Sequence, residues 1–303
     1  MNINLYQIQY DENTAAKDAS GLLTFDCREN PEFLKRETAH LIRFYDELIV
    51  HANNDDYFGL FSPKFEQKVG LKIHQVKDFI SDNQGYDVYL FNPFPMLVYK
   101  YMNMWEQSEL NHPGILNIVD ELFEKSGIDF KASSLSRQTE SQVVYCNYWV
   151  GKKEFIDNFI CFLKRLEKTI DENENLKTKI FNDAQYDLSE ACFYPFVFER
   201  LLSVYLCLNP TYKAISYKYN RNDFVVNHLN KIEKKFYLSD VKHDFDVWEC
   251  QNFEKIDEVE IRINILKNFL RPKYGIGLIE SIMRKINMFR FNSLRKKILS
   301  VIK

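Results

Sequence analysis

Glu199 and Arg200 stand side by side in FYPFVFERLLSVYL, residues 193–206, a run that is otherwise almost wholly apolar. A helix through 196–206 turns Phe196, Val197, Leu201, Val204 and Tyr205 inward, and adjacent positions differ by about 100° around its axis. The two charges therefore cannot share one outward face. One of them falls at the core boundary, where an unpaired charge is costly and is either paired or used. A carboxylate so placed can take a proton from a hydroxyl or stabilise a cationic centre. The arginine can position that carboxylate or meet a phosphate, and it has a plainer reading as a structural ion pair or a solvated side chain.

Other residues carry weaker chemistry, each with a bland alternative. Lys64, in Ser62-Pro63-Lys64, follows a β-forming stretch and can meet a phosphate where backbone groups converge, or it is a solvated turn lysine. His112 in NHPG contacts a sugar or phosphate, or caps the next helix. Asn147 lies among Val143, Val144, Tyr145, Trp149 and Val150, so its amide needs partners: a neighbouring backbone group or a ligand hydroxyl. Asp244 with Asp246, and Asp55 with Asp56, are pairs that can hold magnesium or manganese against a diphosphate, although two acids in a loop are ordinarily just solvated. The six histidines show no metal-cluster spacing, and no residue is assigned as a metal ligand.

The elements that must position these groups alternate. INLYQIQY (3–10) reads as a strand and ETAHLIRFYDELIV as a helix; YFGLFS (57–62) is a second strand and KIHQVKDFI a short amphipathic segment. YDVYLFNPFP is β-rich up to Asn92 and Pro93, and residues 96–125 form two helices broken at NHPG. SQVVYCNYWVG reads as a strand, KEFIDNFICFLKRLEKTI as a helix, and DENENLKTK (171–179) as an exposed loop. This order predicts an α/β domain with a mostly parallel central sheet flanked by helices, binding ligands at the carboxyl ends of its strands. Those ends fall at Gln7, Tyr10 and Asp11, at Ser62 to Lys64, at Asn92 and at Asn147. The domain spans 1–250, and residues 251–303 form a helical C-terminal extension.

Composition narrows the classes. With 303 residues, 46% apolar, and nine glycines, the chain is neither disordered nor fibrous, and a net charge of -3 gives no drive toward nucleic acid. From Arg284 to Lys303, however, there are seven Lys or Arg and no acid among interspersed apolar residues, a pattern that suits either an anionic membrane surface or a terminal helix packed on the domain. The six scattered cysteines read as reduced thiols. No secretion signal opens the chain and no run approaches the ~20 apolar residues of a membrane span, which predicts a cytoplasmic protein, at most peripheral on the inner face of the membrane. The Walker loop, the Gly-rich dinucleotide fingerprint, HExxH and Gly-x-Ser-x-Gly are all missing.

Taken in order, YFGLFSPKF, YDVYLFNP, NHPG, VVYCNYWVGKKEFID and FVFERLLSVYL resemble bacterial glycosyltransferase-like proteins encoded with capsule and lipopolysaccharide genes. The likeness spans roughly residues 3 to 220 and implies a GT-A-like, Rossmann-type domain with a nucleotide-sugar donor across the strand ends. It implies a hexosyltransferase-type enzyme extending an oligosaccharide or lipid-linked glycan acceptor. In that comparison Asn147 faces the cleft, Glu199 approaches the reacting centre, and Arg200 positions it or a phosphate. No Asp-x-Asp ends a strand, which leaves manganese or magnesium dependence open and offers Lys64 as the partner of the leaving diphosphate. The competing expectation is a non-catalytic glycan- or nucleotide-binding protein of the same fold.

Overall fold

The computed structural model describes residues 2–16, 20–184, 191–270, 282, 285–287 and 290–299. Six strands form one mixed sheet: β1 (Ile3–Gln9), β2 (Leu23–Asp26), β3 (Tyr57–Phe61), β4 (Val88–Leu90), β5 (Trp149–Lys152) and β6 (Ala214–Ser216), in the spatial order β2-β1-β3-β5-β4-β6. β1 pairs in parallel with β2 and β3, and β4 with β6; β5 alone runs backwards, antiparallel to both β3 and β4. The expected α/β class and mostly parallel sheet are therefore present. The strand at 141–151 is shorter than expected, since only its last part joins the ladder.

The helices, in chain order, are α1 (Glu37–Phe44), continued by a π turn over Tyr45–Ile49, then α2 (Phe65–Val69), α3 (Ile73–Asp82), α4 (Met104–Asn111) and α5 (Ile115–Lys125). They are followed by α6 (Lys153–Asp171), α7 (Glu174–Ile180), α8 (Phe193–Phe198), α9 (Leu201–Leu208), α10 (Phe224–His228), α11 (Lys231–Tyr237), α12 (Asp240–Gln251), α13 (Ile256–Leu270) and α14 (Phe291–Leu299). The break at NHPG between α4 and α5 falls where Pro113 and Gly114 predict it. Two expectations are corrected. Residues 174–180 are helical because Leu176 and Ile180, one turn apart, are both buried. The helix expected through 196–206 is interrupted at Glu199 and Arg200, which form the turn between α8 and α9.

All five residues of β3 are buried, as expected for a central strand covered on both faces. Gly59 lets β5 lie close: a Cβ there would stand 2.9 Å from Val150 Cγ2 and 3.3 Å from the Trp149 carbonyl oxygen. Beneath the strand ends, Phe61 stacks on Phe65 at 4.1 Å between centroids, and Phe65 meets Tyr148 edge-on at 5.0 Å. Much of the aromatic content is thus core, a rigid floor for whatever lies above it.

The C-terminal helices are docked on this domain. Arg137, 1% exposed at its side chain, forms an ion pair with Glu249 of α12 at 2.7 Å and donates to the carbonyls of Val98 and Tyr101. Lys267 of α13 reaches Glu106 of α4 at 2.5 Å. In α14, Phe291, Leu294 and Ile298 are buried, and the Arg262 side chain, lying 3.5 Å from the Trp248 ring, donates to the Ile298 carbonyl. Most of the basic segment 284–303 lies outside the described residues. Where it is described as α14, its apolar stripe packs against α12 and α13. No described helix is long and apolar enough to cross a membrane.

Candidate functional site

From β1 the chain turns to β2 on one side and then crosses back to β3 on the other, so the carboxyl ends of β1 and β3 diverge and leave a crevice. A cavity of about 630 Å³ opens there. A small separate hollow that shares Glu37, Ser62, Cys146 and Asn147 with it lies among Ile8, Leu60 and Trp149. Because β5 is reversed, the segment that precedes it, Tyr145 to Tyr148, is delivered to the same edge.

That segment is not extended. Cys146 (φ 65°) and Asn147 (φ 53°) are both left-handed, and the third described non-glycine residue with positive φ is Arg36 (φ 49°), at the head of α1. All three line this one cavity. Left-handed backbone at residues with a Cβ is strained, and such strain clusters where surrounding structure holds it for a purpose. The expectation of a regular strand at Asn147 fails because two left-handed residues in succession cannot continue a pleat.

Glu199 crosses to this segment: the Cys146 N–H donates to its Oε1 at 2.5 Å, and its Oε2 stands 3.9 Å from Arg200 Nη1. One carboxylate oxygen is thereby fixed, and the other has no hydrogen-bond donor among the described residues. Arg200 is 4% exposed; Nη1 donates to the Phe196 carbonyl at 2.6 Å and Nη2 to Gln107 Oε1 at 3.1 Å, while its buried Nε–H has no partner among the described residues. Both residues line the cavity from the turn between α8 and α9, where their backbone stays in the right-handed helical region (Glu199 φ -56°, ψ -29°; Arg200 φ -92°, ψ -10°). Arg200 thus closes α8, and its guanidinium charge stands in the cavity wall with Nε enclosed by protein.

Ser62 bonds the Tyr148 hydroxyl at 2.9 Å. His112 stacks on Phe196 at 3.8 Å and faces the Ala184 carbonyl through Nδ1; burial, and then the Arg200 charge, hold its pKa below the usual imidazole value. Lys68 of α2 enters from the side, donating to Cys146 Sγ at 3.3 Å and lying 5.9 Å from the Tyr148 ring centroid. Burial, followed by Glu199, pushes the Cys146 thiol up to about 12, so it is neutral at physiological pH. Among the described residues, the one neighbour bonded to the Lys68 ammonium is then uncharged.

Of the ten expected site residues, the cavity gathers Ser62, His112, Asn147, Glu199 and Arg200. The other five have different work. Gln7 donates its amide to the Thr14 carbonyl at 2.7 Å, and Asp11 caps the following turn through the Asn13 N–H. Tyr10, 38% exposed, packs tilted on His40. Asn92 accepts the Phe94 N–H at 3.0 Å, stabilising the turn after β4. Lys64 is exposed and lines none of the cavity; Lys68, one turn further on, occupies the place foreseen for it. The sequence reading missed Lys68, Arg36 and Glu37. The signal for Lys68 was the one-turn helix framed by Pro63 and Gly70, the latter left-handed at φ 73°; nothing local marks Arg36.

The aspartate pairs are engaged elsewhere. Asp56 accepts both the backbone and side-chain N–H of Asn2, and Asp246 accepts from the Tyr99 hydroxyl and Lys242. Among the described residues no group of three or more His, Cys, Asp or Glu is set to hold a metal. In the cavity, Lys35, Arg36, Lys68 and Arg200 line the wall with Glu37 and Glu199; Lys35 is already paired with Glu32 and Glu167, and one Glu199 oxygen is taken by Cys146. This donor set does not fit a divalent cation; it fits an anion. No family model, curated protein or solved structure matches the chain.

Proposed function

We propose that the protein is a glycosyltransferase with a GT-A-like domain, moving a sugar from a nucleotide-sugar donor to a growing bacterial surface glycan. The observation that carries this reading is the half-free Glu199 carboxylate, held by the Cys146 N–H in a cationic crevice where the strand order reverses. The ordered sequence motifs that resemble capsule and lipopolysaccharide transferases support it, and two of them, CNYWVG and FERLL, supply the two sides of that contact.

As the sugar–phosphate bond breaks, negative charge grows on the nucleotide diphosphate and positive charge on the ring carbon. Lys68 and the Arg200 charge meet the first without a metal ion. Glu199 Oε2 meets the second side, either taking the proton of the acceptor hydroxyl or stabilising the cationic sugar. In this reading Asn147, and Ser62 beside its bond to Tyr148, hold sugar or ribose hydroxyls, and His112 adds a polar contact on a buried wall.

The test is isothermal calorimetry with uridine, guanosine and cytidine diphosphate or monophosphate sugars in chelator, joined to a transfer assay. Wild type is expected to bind one donor class without metal. Glu199→Gln is expected to keep that binding within about threefold while transfer falls by about a hundredfold or more. Failure of every donor to bind would overturn the reading. Unimpaired complementation by Glu199→Gln would favour the non-catalytic binder instead.

A further inference from the structure

Several apolar side chains stay exposed beside the cavity. Phe33 and Leu34, 67% and 45% exposed, stand in the connection leaving β2, directly before the cavity residues Lys35 and Arg36. Phe94, 45% exposed, lies just past the carboxyl end of β4 and lines the cavity itself; Leu110, 62% exposed, adjoins the lining residue Asn111. β2 and β4 are four strand positions apart in the sheet, and residues from the connections after both strands line the cavity.

Cations stand on the same edge. Lys64 follows β3, and Lys218 and Arg221 follow β6; all three are exposed, and none has a hydrogen-bond or ion-pair partner among the described residues. The inner wall below the rim continues the apolar character through Leu97, Tyr145, Pro195 and Phe196. Isolated Phe and Leu tips among unpaired Lys and Arg fit a lipid headgroup boundary, which accepts separate apolar side chains between anionic groups. A protein partner spanning both tips would seal the opening, whereas a lipid surface leaves the lateral path that a membrane-held substrate needs.

We infer that the cavity mouth docks on an anionic lipid surface, and that the acceptor is an amphiphile whose hydroxyl enters from that surface. This rests on the transferase reading for the acceptor but not for the docking itself, and it places the contact at the strand-end edge of the sheet, away from α14.

The experiment is co-sedimentation of the full chain with phosphatidylglycerol–phosphatidylethanolamine vesicles and with pure phosphatidylcholine vesicles, run beside calorimetry for the nucleotide sugars. Wild type is expected in the pellet with anionic vesicles only. Phe33→Ser, Leu34→Ser and Leu110→Ser combined are expected to cut partitioning by about tenfold or more, with melting temperature and nucleotide-sugar binding unchanged because these side chains are exposed and outside the cavity. The inference is overturned if wild type stays in solution with both vesicles, if the triple variant pellets like wild type, or if the substitutions instead dissolve a dimer. Vesicle binding without any nucleotide-sugar binding would leave the docking standing and remove the transferase reading.

Discussion

The backbone N–H of Cys146 donates to Glu199 Oε1 across 53 positions of sequence. It joins a left-handed turn to the break between α8 and α9, and leaves Oε2 as the carboxylate oxygen without a hydrogen-bond donor among the described residues. Removing the charge should be felt at the thiol. Burial first, and Glu199 second, hold the Cys146 pKa up near 12, so the thiol reacts far more slowly than a free cysteine with iodoacetamide at pH 8. In Glu199→Gln its labelling should accelerate severalfold, read on the Cys146 peptide by mass spectrometry. An unchanged rate would mean that the carboxylate does not sense the thiol.

Lys68 and Lys64 differ in what they face. With inorganic pyrophosphate as probe, Lys68→Ala should weaken binding by about tenfold, as expected for losing one charge-assisted hydrogen bond. Lys64→Ala should leave it unchanged, since that side chain lies outside the cavity. The reverse order would move the phosphate site back to the strand end.

His40 is 2% exposed, its Nε2 has no partner among the described residues, and burial, then Arg43, lower its pKa from 6.5 to about 4. A histidine depressed in the folded state favours folding fully above its unfolded value, and that contribution is lost as the pH falls from about 6.5 toward 4. Urea melts should show up to about 3 kcal/mol of stability lost across this window through His40. His40→Leu should flatten the slope, and an unaltered slope would assign the acid sensitivity to other groups.

Arg137 and Glu249 form a buried pair between the sheet domain and α12. Arg137→Met strands a buried carboxylate and should cost about 3–5 kcal/mol by urea unfolding, while Arg137→Met with Glu249→Met should recover much of the loss. A small effect of the single change would mean that water reaches Glu249.

The alternation of elements was legible because strand and helix periods are written in long stretches such as YFGLF and KEFIDNFICFLKRLEKTI. Short elements escaped. LTFD turns a single residue, Phe25, to the core, and AIS is three residues long with none buried. VVYCNY has strand composition, yet its apolar side chains are buried as a loop and the left-handed pair has no glycine to announce it. Glu199 stood out because charge interrupts an apolar run, whereas Lys68 looks like any surface lysine until α2 turns it toward the crevice.

The Phe91 N–H donates to the Tyr148 carbonyl at 2.8 Å, closing the neck of everything between β4 and β5. Since β5 runs backwards, this long excursion departs and returns at one edge and never threads the sheet. It carries Phe94, Gln107, His112 and Asn147 with it. One wall of the cavity is therefore a cassette: recombination between related chains at this neck would exchange that wall while the strand register stays as it is, with the Arg137–Glu249, Lys267–Glu106, Lys100–Glu233 and Cys146–Glu199 contacts among the distant fittings the newcomer must match.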